Sequence, residues 1–488
     1  MNRINPRHRG IIDTFRLCAS TCLSLWLAGC ATQSPPTSVD AATAPQWHAP
    51  LPAADQAGAP LPHNGTLADL SRWWQQRGDP LLVRLIDAAQ TVSPSIASAT
   101  AHIEQARAVR VATGAALLPA LDATASASRS NAQQGMPLNT VLQGGLQASW
   151  ELDLFGANRA ARDAAQARLE GARAQWHDAR VSVAAETANR YYSLRACEML
   201  LATMRSDAVS RAETARLLQL SVDAGLQAPA TAALARASAA EGSGRVIQQQ
   251  ALCDIDIKAL VALTAIPEPD LRRQLAEAAP QLPQAALLTV ASVPAQTLAQ
   301  RPDVFNAERN VAAASADVGN ARAQRFPRLS LSGSIGAASV RAGGTTTDLT
   351  AWSIGPLALS LPVFDGGRRA ADTDAARARY DEAVSQYRAS VRQAVREVEE
   401  ALVNLHSTGA RGDDALRAVE GYRVSFDSTE QRYRSGLANL VELEEARRTR
   451  LAAEIALVSL QRERVTAWIA LYRSAGGGWS TVADDVRP

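Results

Sequence analysis

The chain contains very little lysine, few aromatic residues and few cysteines. Lys258 is the one lysine among 50 basic residues, so almost all of the positive charge is arginine, dispersed among 48 carboxylates. A net charge of +2 without a basic block argues against a nucleic-acid partner. Three of the five cysteines lie within the first 30 residues, which excludes a disulfide scaffold and a zinc site. An oxidising compartment would allow Cys197 and Cys253 to form a bridge, and the sequence leaves that question open.

Motifs for catalysis and cofactor binding are also missing. The six histidines show no metal-ligand spacing, and there is no nucleophile elbow and no phosphate-binding loop. The four methionines do not cluster, so nothing indicates a copper relay. We therefore predict that the protein is not an enzyme, with no catalytic residue and no metal site.

The first 30 residues form the most specific local signal. Several arginines precede a largely apolar run, Leu17 to Leu27, which is too short to span a membrane as a mature helix. The run ends in Leu27-Ala28-Gly29-Cys30, which resembles the lipobox of bacterial lipoproteins. We predict that residues 1–29 are removed and that Cys30 carries covalent lipid such as palmitate, the only cofactor expected. A plain signal peptide with an incidental cysteine is the alternative. Because Ala31 is not aspartate, the lipoprotein pattern points to the outer membrane.

Two parts of the chain repeat each other. Leu118-Pro119-Ala120-Leu121 resembles Phe326-Pro327-Arg328-Leu329, and Ala224-Gly225-Leu226 resembles Ser435-Gly436-Leu437 at nearly the same separation. We infer two copies of one supersecondary unit. The predicted divisions are a signal peptide at residues 1–29, a lipid anchor and tether at 30–80, the first copy at 81–265, a connector at 266–296, the second copy at 297–474 and a tail at 475–488.

Each copy contains residues that alternate between apolar and polar, which is the period of a strand. In the first copy the alternation runs from Leu142 to Leu154, and Leu121 to Ser130 supplies a less clear strand. In the second copy it runs from Leu329 to Ala337, and again over a shorter stretch from Leu357 to Leu361. Strands of about 9–11 residues with one apolar and one polar face are typical of membrane barrels. A half-buried sheet on a soluble core is the alternative.

The number of strands predicts the assembly. Four strands cannot close a barrel, because about eight are needed merely to fill the interior with side chains. An open sheet edge in lipid would leave backbone groups unpaired. We therefore predict that three chains share one barrel of about twelve strands with a water-filled bore.

The remaining parts of each copy have the period of close-packed helices. In the second copy, apolar residues from Val384 to Leu405 follow a heptad spacing with charged flanks. This spacing predicts a helix from about Gly367 to Leu405, and a returning helix from about Leu440 to Tyr472. Together they form a hairpin of coiled-coil type.

Three separated motifs carry a family resemblance. They are Arg301-Pro302-Asp303-Val304, then Leu361-Pro362-Val363-Phe364-Asp365-Gly366-Gly367-Arg368, and finally Leu471-Tyr472-Arg473 with Gly476-Gly477-Gly478-Trp479. With the lipobox, they resemble the signatures of TolC-type outer-membrane factors, in particular the NodT-like lipoproteins that serve resistance-nodulation-division efflux pumps. The resemblance covers nearly the whole mature chain.

The resemblance implies an α+β membrane protein that assembles as a homotrimer. Its outer-membrane β-barrel, with four strands per chain, would continue as a long periplasmic barrel of α-helices. The implied function is a passive exit duct of a tripartite efflux system for small toxic compounds or drugs, as in multidrug resistance. The implied partners are a periplasmic adaptor protein and an inner-membrane pump, whose docking opens a closed tip.

One group of candidate site residues lies where a strand meets a long helix. Gly156, Gly366 and Gly367 can permit a tight swivel of the backbone, and Asp365 can cap the helix that follows.

A second group lies at the hairpin turns, the predicted tip. Gly225 and Gly436 can end the first helix of each hairpin, and Asn439 can cap the next helix. We hypothesise that nearby carboxylates form a charged ring that sets cation preference or gating. A solvated helix start is the alternative. The carboxylates concerned are Asp223, Glu442, Glu444 and Glu445.

Two other functions stay open on the sequence alone. A type I secretion duct has the same fold, although the lipobox and the Arg301 motif favour the efflux group. A lipid-anchored periplasmic coiled-coil scaffold without a pore is the alternative from a different class. Such a scaffold has no need of four strands with one lipid-facing and one polar side.

Overall fold

The computed structural model describes residues 34–41, 49, 74, 79–131, 138–278, 280–283 and 301–479. The predicted signal peptide and Cys30 lie outside these residues, as do most of the connector and of the tail. The chain divides into two compact units, and each unit takes residues from both repeats. The first unit holds the described residues of Met1–Asp40, His102–Ala172 and Asn306–Tyr387, and the second those of Ala41–Ala101, Arg173–Phe305 and Arg388–Pro488.

The first copy consists of helices with two strands between them. Its first helix begins at Pro80, and the carboxylate of Asp79 caps it by accepting the Leu82 amide proton at 3.1 Å. Its third helix contains 67 residues, which is about 100 Å at 1.5 Å per residue. The elements are α1 (Pro80–Val92), α2 (Pro94–Ala115), β1 (Ala120–Ser130), β2 (Asn139–Leu152), α3 (Ala157–Asp223), α4 (Pro229–Thr264) and α5 (Glu268–Glu277).

The second copy has the same order of helix, two strands and long helices. None of the described helices combines the length and the hydropathy of a membrane-spanning helix. The elements are α6 (Pro302–Ala323), β3 (Arg328–Ala342), β4 (Thr345–Ser360), α7 (Arg368–Ala410), α8 (Gly412–Arg434), α9 (Leu440–Ser474) and a short 3-10 turn (Gly476–Gly478).

The four strands form one antiparallel sheet in the order β1-β2-β3-β4. Its central pair joins the two copies, because β2 of the first lies beside β3 of the second, with Leu146 opposite Ile335. The β3-β4 hairpin turns through Gly343 and Gly344, both with positive φ, as a tight two-residue turn requires.

Strand β4 is longer than the sequence predicts. It has 16 residues, whereas the alternation was evident only from Leu357 to Leu361. The alternation is interrupted before Leu357 by a register shift opposite Leu331 and Gly333, where β4 has one extra residue around Pro356. The shift changes the parity of the alternation, so Ile354 and Leu357 lie on one face although three positions separate them.

The second unit is held by the predicted helical seam and by a cluster of aromatic residues. The seam residues Val391, Ala394, Val398, Ala401 and Leu405 of α7 are all buried, which confirms the heptad prediction from Val391 onward. The first two predicted seam residues, Val384 and Tyr387, are only half-buried. At the end of α9, buried Trp468 and Tyr472 pack edge-on against Trp74, with ring centroids 5.9 and 4.8 Å away.

Two of the sequence motifs meet in this unit. The buried guanidinium of Arg301 donates to Asp303 at 2.7 Å, to Glu397 of α7 at 2.8 Å and to the Ser474 carbonyl oxygen of α9 at 3.2 Å. Phe305 packs against Trp479, with ring centroids 5.0 Å apart. The Arg301 motif thus connects the start of α6 to α7 and to the C-terminal glycine motif.

The structure also settles the pairing of the two isolated cysteines. Cys197 of α3 and Cys253 of α4 form a disulfide, with their Cα atoms 5.6 Å apart and both residues buried. Both lie on facing sides of neighbouring antiparallel helices, which the sequence alone could not establish.

Candidate functional site: the sheet faces and the hairpin turns

One face of the sheet is apolar and open to the surroundings. Cross-strand partners share a face, so the ladders align a continuous apolar surface across all four strands. Its large side chains are exposed although they are hydrophobic, as expected of a surface that contacts lipid. They include Leu121, Leu142, Leu146, Ile335, Trp352, Ile354, Leu357 and Leu359.

The opposite face is small and polar. Ser334 and Ser353 lie opposite each other in the ladder, and their hydroxyl oxygens are 2.9 Å apart in a hydrogen bond. Its larger apolar side chains, Val141, Val340 and Leu349, lie near the β3-β4 turn, and the rest of the described face is small or polar. The residues on it include Asp122, Thr124, Ser126, Gln143, Gln147, Ser149, Ser330 and Ser332. The face therefore suits contact with water.

Two glycines let the central strands approach closely. Gly145 and Gly336 are partners in the β2-β3 ladder. A Cβ at Gly145 would lie 2.7 Å from the Ile335 carbonyl oxygen, and one at Gly336 would lie 2.9 Å from the Gly144 carbonyl oxygen. Any larger residue would push the two strands apart.

Both outer strands of the sheet have a free edge. Within the described residues, β1 pairs only with β2, and β4 pairs only with β3. Each free edge presents a row of backbone amide and carbonyl groups without a ladder partner. An apolar sheet face with two unpaired edges is incomplete as a single chain in lipid.

The predicted swivel residues form a capped turn before α7. Asp365 accepts the Gly367 amide proton at 3.0 Å and the Arg369 amide proton at 3.2 Å. Gly366 and Gly367 have φ values of 65° and 89°, which favour glycine. The hydrogen bond from the Arg369 amide, with further bonds from Gly367 and the Arg369 side chain, holds the pKa of Asp365 below its usual value.

The equivalent turn of the first copy uses an aspartate that sequence reasoning missed. Asp153 accepts the amide protons of Asn158 at 3.1 Å and of Arg159 at 2.8 Å, and Gly156 has a φ of 78°. The repeat could have revealed it, because Arg159 aligns with Arg369 and each arginine amide bonds to a preceding aspartate.

The two hairpin turns have the same backbone geometry. Gly225 and Gly436 have φ values of 71° and 74°. Leu226 donates to the Ser221 carbonyl oxygen at 2.8 Å, and Leu437 donates to that of Arg432 at 2.7 Å. These bonds form Schellman caps, which end α3 and α8 at equivalent positions of the two copies.

Most of the predicted tip carboxylates are solvent-exposed. Asn439 caps α9 by accepting the Glu442 amide proton at 2.9 Å, and the Glu442 carboxylate accepts from the Asn439 side chain at 2.9 Å. Glu445 pairs with Arg448 on the surface of the helix. Asp223 accepts a hydrogen bond from Gln219 at 2.8 Å. A charged ring formed by these groups stays a prediction.

Glu444 differs from its neighbours because it points into the helical packing. One carboxylate oxygen accepts from Arg211 of α3 at 2.5 Å and from Ser238 of α4 at 2.7 Å. The other accepts from Arg447 at 2.5 Å. Asp207 completes the group by accepting from Arg211 at 2.7 Å. Glu444 thus links the second hairpin to both helices of the first.

These contacts define a buried charged quartet of Asp207, Arg211, Glu444 and Arg447. Arg447 is 1% exposed and Asp207 is 2% exposed, while Glu444 keeps 17% exposure. Burial lowers the pKa of Arg447, and Glu444 opposes that shift. Two positive and two negative groups make the quartet neutral overall. Three of the four members were not predicted from the sequence. Asp207 with Arg211, and Glu444 with Arg447, have the spacing of ordinary surface ion pairs along one helix.

Comparison with known proteins identifies what this arrangement is similar to. A model of a family described as outer membrane efflux protein matches residues 85–265 and 293–477. The chain is 31% identical over 434 residues to the pyoverdine export outer membrane protein OpmQ of Pseudomonas aeruginosa, covering 85% of this chain and 89% of that protein. It is 27% identical over 439 residues to nodulation protein T of Rhizobium leguminosarum bv. trifolii, covering 89% and 93%.

A solved structure extends the likeness to the fold. The structure of the outer-membrane channel OprN matches with a TM-score of 0.79 and 30% sequence identity, covering 92% of this chain and 99% of that chain. The predicted fold class is confirmed, since the long helices and the four-stranded sheet of this chain have the fold of an outer-membrane channel.

Proposed function

The chain belongs to the outer membrane efflux protein family, and from that membership we propose that three copies share one barrel and form a passive exit duct. Its function is that of an outer-membrane channel of an efflux system, and its location is the outer membrane with an extension into the periplasm. The family is one of transport proteins. We propose that this chain has no catalytic activity and needs no metal.

The observation that carries the proposal is the four-stranded sheet with an exposed apolar face and two free edges. In lipid, each unpaired backbone group costs roughly several kcal/mol, so β1 and β4 require partners from other chains. Two chains would supply about eight strands, whose interior side chains fill the barrel. Three chains supply about twelve strands, which leave a water-filled bore lined by the serine and glutamine face.

A wide polar bore supports passive transport of small compounds. Within the described residues, the polar face offers mainly hydroxyl and carboxamide groups with the carboxylate of Asp122 and no deep pocket of converging charges, so it would select weakly among solutes. We propose that small toxic compounds or drugs pass through it and that the energy comes from an inner-membrane pump. A polypeptide secretion duct would use the same fold, but the matching family is described by efflux.

The hairpin turns are the proposed contact for the other components of the system. Their Schellman caps expose Leu226 and Leu437 to solvent, at 77% and 70%. Exposed leucines at the ends of two helical hairpins suit docking of another helical protein. We propose that this partner is a periplasmic adaptor connected to the pump, and that lipid on Cys30 adds a second membrane attachment.

Light scattering of the detergent-extracted protein, with the detergent subtracted, tests the assembly. A protein mass near three mature chains, together with ion conductance in planar bilayers, is the expected result. A monomer that needs no detergent once Cys30 is replaced would refute the barrel and favour the scaffold. Mass spectrometry of the N-terminal peptide tests the lipid separately, because the barrel does not depend on it.

A further inference from the structure

The disulfide lies far from the turn of the first hairpin. Helix α3 runs from Cys197 to its end at Asp223 for about 39 Å at 1.5 Å per residue. Helix α4 returns over a similar distance from Pro229 to Cys253. The cross-link therefore marks the base of a long pair of helices that ends in the Gly225 turn.

Between the disulfide and the turn, α4 contributes no large apolar side chain to the buried seam. Its buried residues there are small or polar: Ala232, Ala235, Ser238, Gly242 and Gln249. Its large buried aliphatic residues, Ile257 and Leu260, lie on the other side of Cys253. Because hydrophobic stabilisation follows the apolar area buried, apolar packing contributes little to the register of α4 over this stretch.

The backbones of the two helices approach closely in the same stretch. A Cβ added at Gly242 would lie 3.5 Å from the Ala208 Cα atom and 3.0 Å from the Arg211 Cδ atom. Such close contact requires one particular register, because a shift along the axis would bring a larger residue against α3. In this stretch the two helices bury little apolar area between them, yet their close approach allows only a small shift of α4 along α3.

A buried glutamine beside the disulfide makes a further contact between α3 and α4. The carboxamide of Gln249, one turn from Cys253 on α4, donates to the Cys197 sulfur at 3.0 Å. Gln249 is itself buried, so the sulfur satisfies a polar group that has lost its contact with water. The contact depends on α3 and α4 keeping this register.

We propose that oxidation of Cys197 and Cys253 is a maturation step of this channel, and that the resulting bond pins α3 to α4 in register. The oxidant is a periplasmic protein that carries a reactive disulfide. One cysteine thiolate attacks that disulfide and forms a mixed disulfide, releasing one oxidase thiolate. The second cysteine thiolate then displaces the other oxidase sulfur. Two thiols of the channel become one disulfide, and the oxidase leaves as a dithiol with the two protons.

The oxidation precedes packing of the hairpin. In the folded hairpin, Cys197 is 6% exposed and Cys253 is 2% exposed, so another protein cannot reach either sulfur. The same burial shields the finished bond from reductants. The proposal concerns maturation and goes beyond the role of the assembled channel as a duct.

The oxidation is tested on the wild-type protein by alkylation in denaturant followed by mass spectrometry. Protein from the outer membrane should have no alkyl group on Cys197 or Cys253 unless it is reduced first. In cells without periplasmic thiol-oxidase activity, both thiols should be alkylated. Free thiols in the normal cells would overturn the oxidation, and an intact disulfide in the deficient cells would overturn the proposed oxidant.

The pinning is tested by trypsin cleavage of the hairpin in Cys197→Ala, Cys253→Ala and the double variant. Any of the three abolishes the same bond, so all should be cleaved at one common rate, at least about tenfold above wild type. The exposed substitution Glu241→Ala in α4 is the matched control and should leave the wild-type rate unchanged.

Two results would overturn the pinning. Wild-type cleavage in all three variants would mean that the register does not need the bond. A double variant whose increase is the product of the single increases would indicate lost side-chain packing at two independent sites. If a variant does not reach the outer membrane, the alkylation of wild-type protein still tests the oxidation.

Discussion

The buried quartet predicts a large effect of one small change, Glu444→Gln. The substitution keeps the size of the side chain but removes one of two negative charges that balance Arg211 and Arg447. The quartet then carries a net positive charge where Arg447 is 1% exposed. Removing one partner of a buried ion pair costs about 3–5 kcal/mol, because the other charge stays buried without compensation.

The lower end of this range applies here. Asp207 still neutralises Arg211, and a glutamine oxygen can still accept from Ser238. We therefore expect a loss of about 3 kcal/mol in the free energy that keeps the hairpins packed. Since about 1.4 kcal/mol corresponds to a factor of ten, local opening should become about 150-fold more frequent.

Hydrogen exchange measured by mass spectrometry detects this opening. Amides of α9 around Arg447 and of α3 around Arg211 should exchange faster by that factor in Glu444→Gln. Glu445→Gln is the matched control, because Glu445 is the adjacent residue and its partner Arg448 lies on the surface. It should exchange at the wild-type rate.

The double variant Glu444→Gln/Arg447→Met distinguishes charge balance from lost contacts. It leaves Arg211 paired with Asp207, so the cluster is neutral again, and protection should return to within about 1 kcal/mol of wild type. Exchange that is as fast in the double variant as in Glu444→Gln, or faster, would refute the reasoning, as would wild-type exchange in Glu444→Gln alone.

Three further predictions concern the sheet, the helix cap and the Arg301 motif. Gly336→Val should abolish conductance and the folded barrel, because a Cβ there would lie 2.9 Å from the Gly144 carbonyl oxygen, and resistance to heat on a native gel measures it. Asp365→Ala should lower the Tm at pH 7, whereas the exposed Asp374→Ala should not. Because the cap lowers the pKa of Asp365, its contribution exists above the usual carboxyl pKa near 3.8 and is lost as pH falls through the lower folded value, so wild type and variant should converge once the pH is below that folded value. Arg301→Lys should lose about 2 kcal/mol in thermal unfolding, because an ammonium cannot reproduce the fork that binds two carboxylates and the Ser474 carbonyl oxygen; an unchanged melting curve would contradict this role.

Regular periodicity is the part of this fold that the sequence reveals. The heptad seam of α7 and the alternation in β2 and β3 follow directly from the positions of apolar residues, because each period corresponds to one backbone geometry. Glycine at the hairpin turns was also predictable, since the left-handed cap has a strong residue preference. The repeat made both inferences stronger, because each feature occurs twice.

Features that depend on contacts between distant parts of the chain could not be predicted from the sequence in this way. The register shift in β4 breaks the alternation, so the strand before Leu357 looked irregular. Asp207 with Arg211, and Glu444 with Arg447, have spacings typical of exposed pairs on one helix. Only the packing of α3, α4 and α9 buries them together. The pairing of Cys197 with Cys253 likewise depends on which faces of two helices meet.

The order of strands in the sheet also determines how chains can join. The free edges belong to different copies of the repeat, β1 to the first and β4 to the second, and these two strands run in opposite directions. Chains inserted with the same orientation can therefore continue the antiparallel pattern only by placing β4 of one beside β1 of the next. Such a joint is heterologous, so it uses two unlike surfaces and closes as a ring with cyclic symmetry. A mutation in either edge strand would affect every joint of the ring, while each joint contains only one altered side.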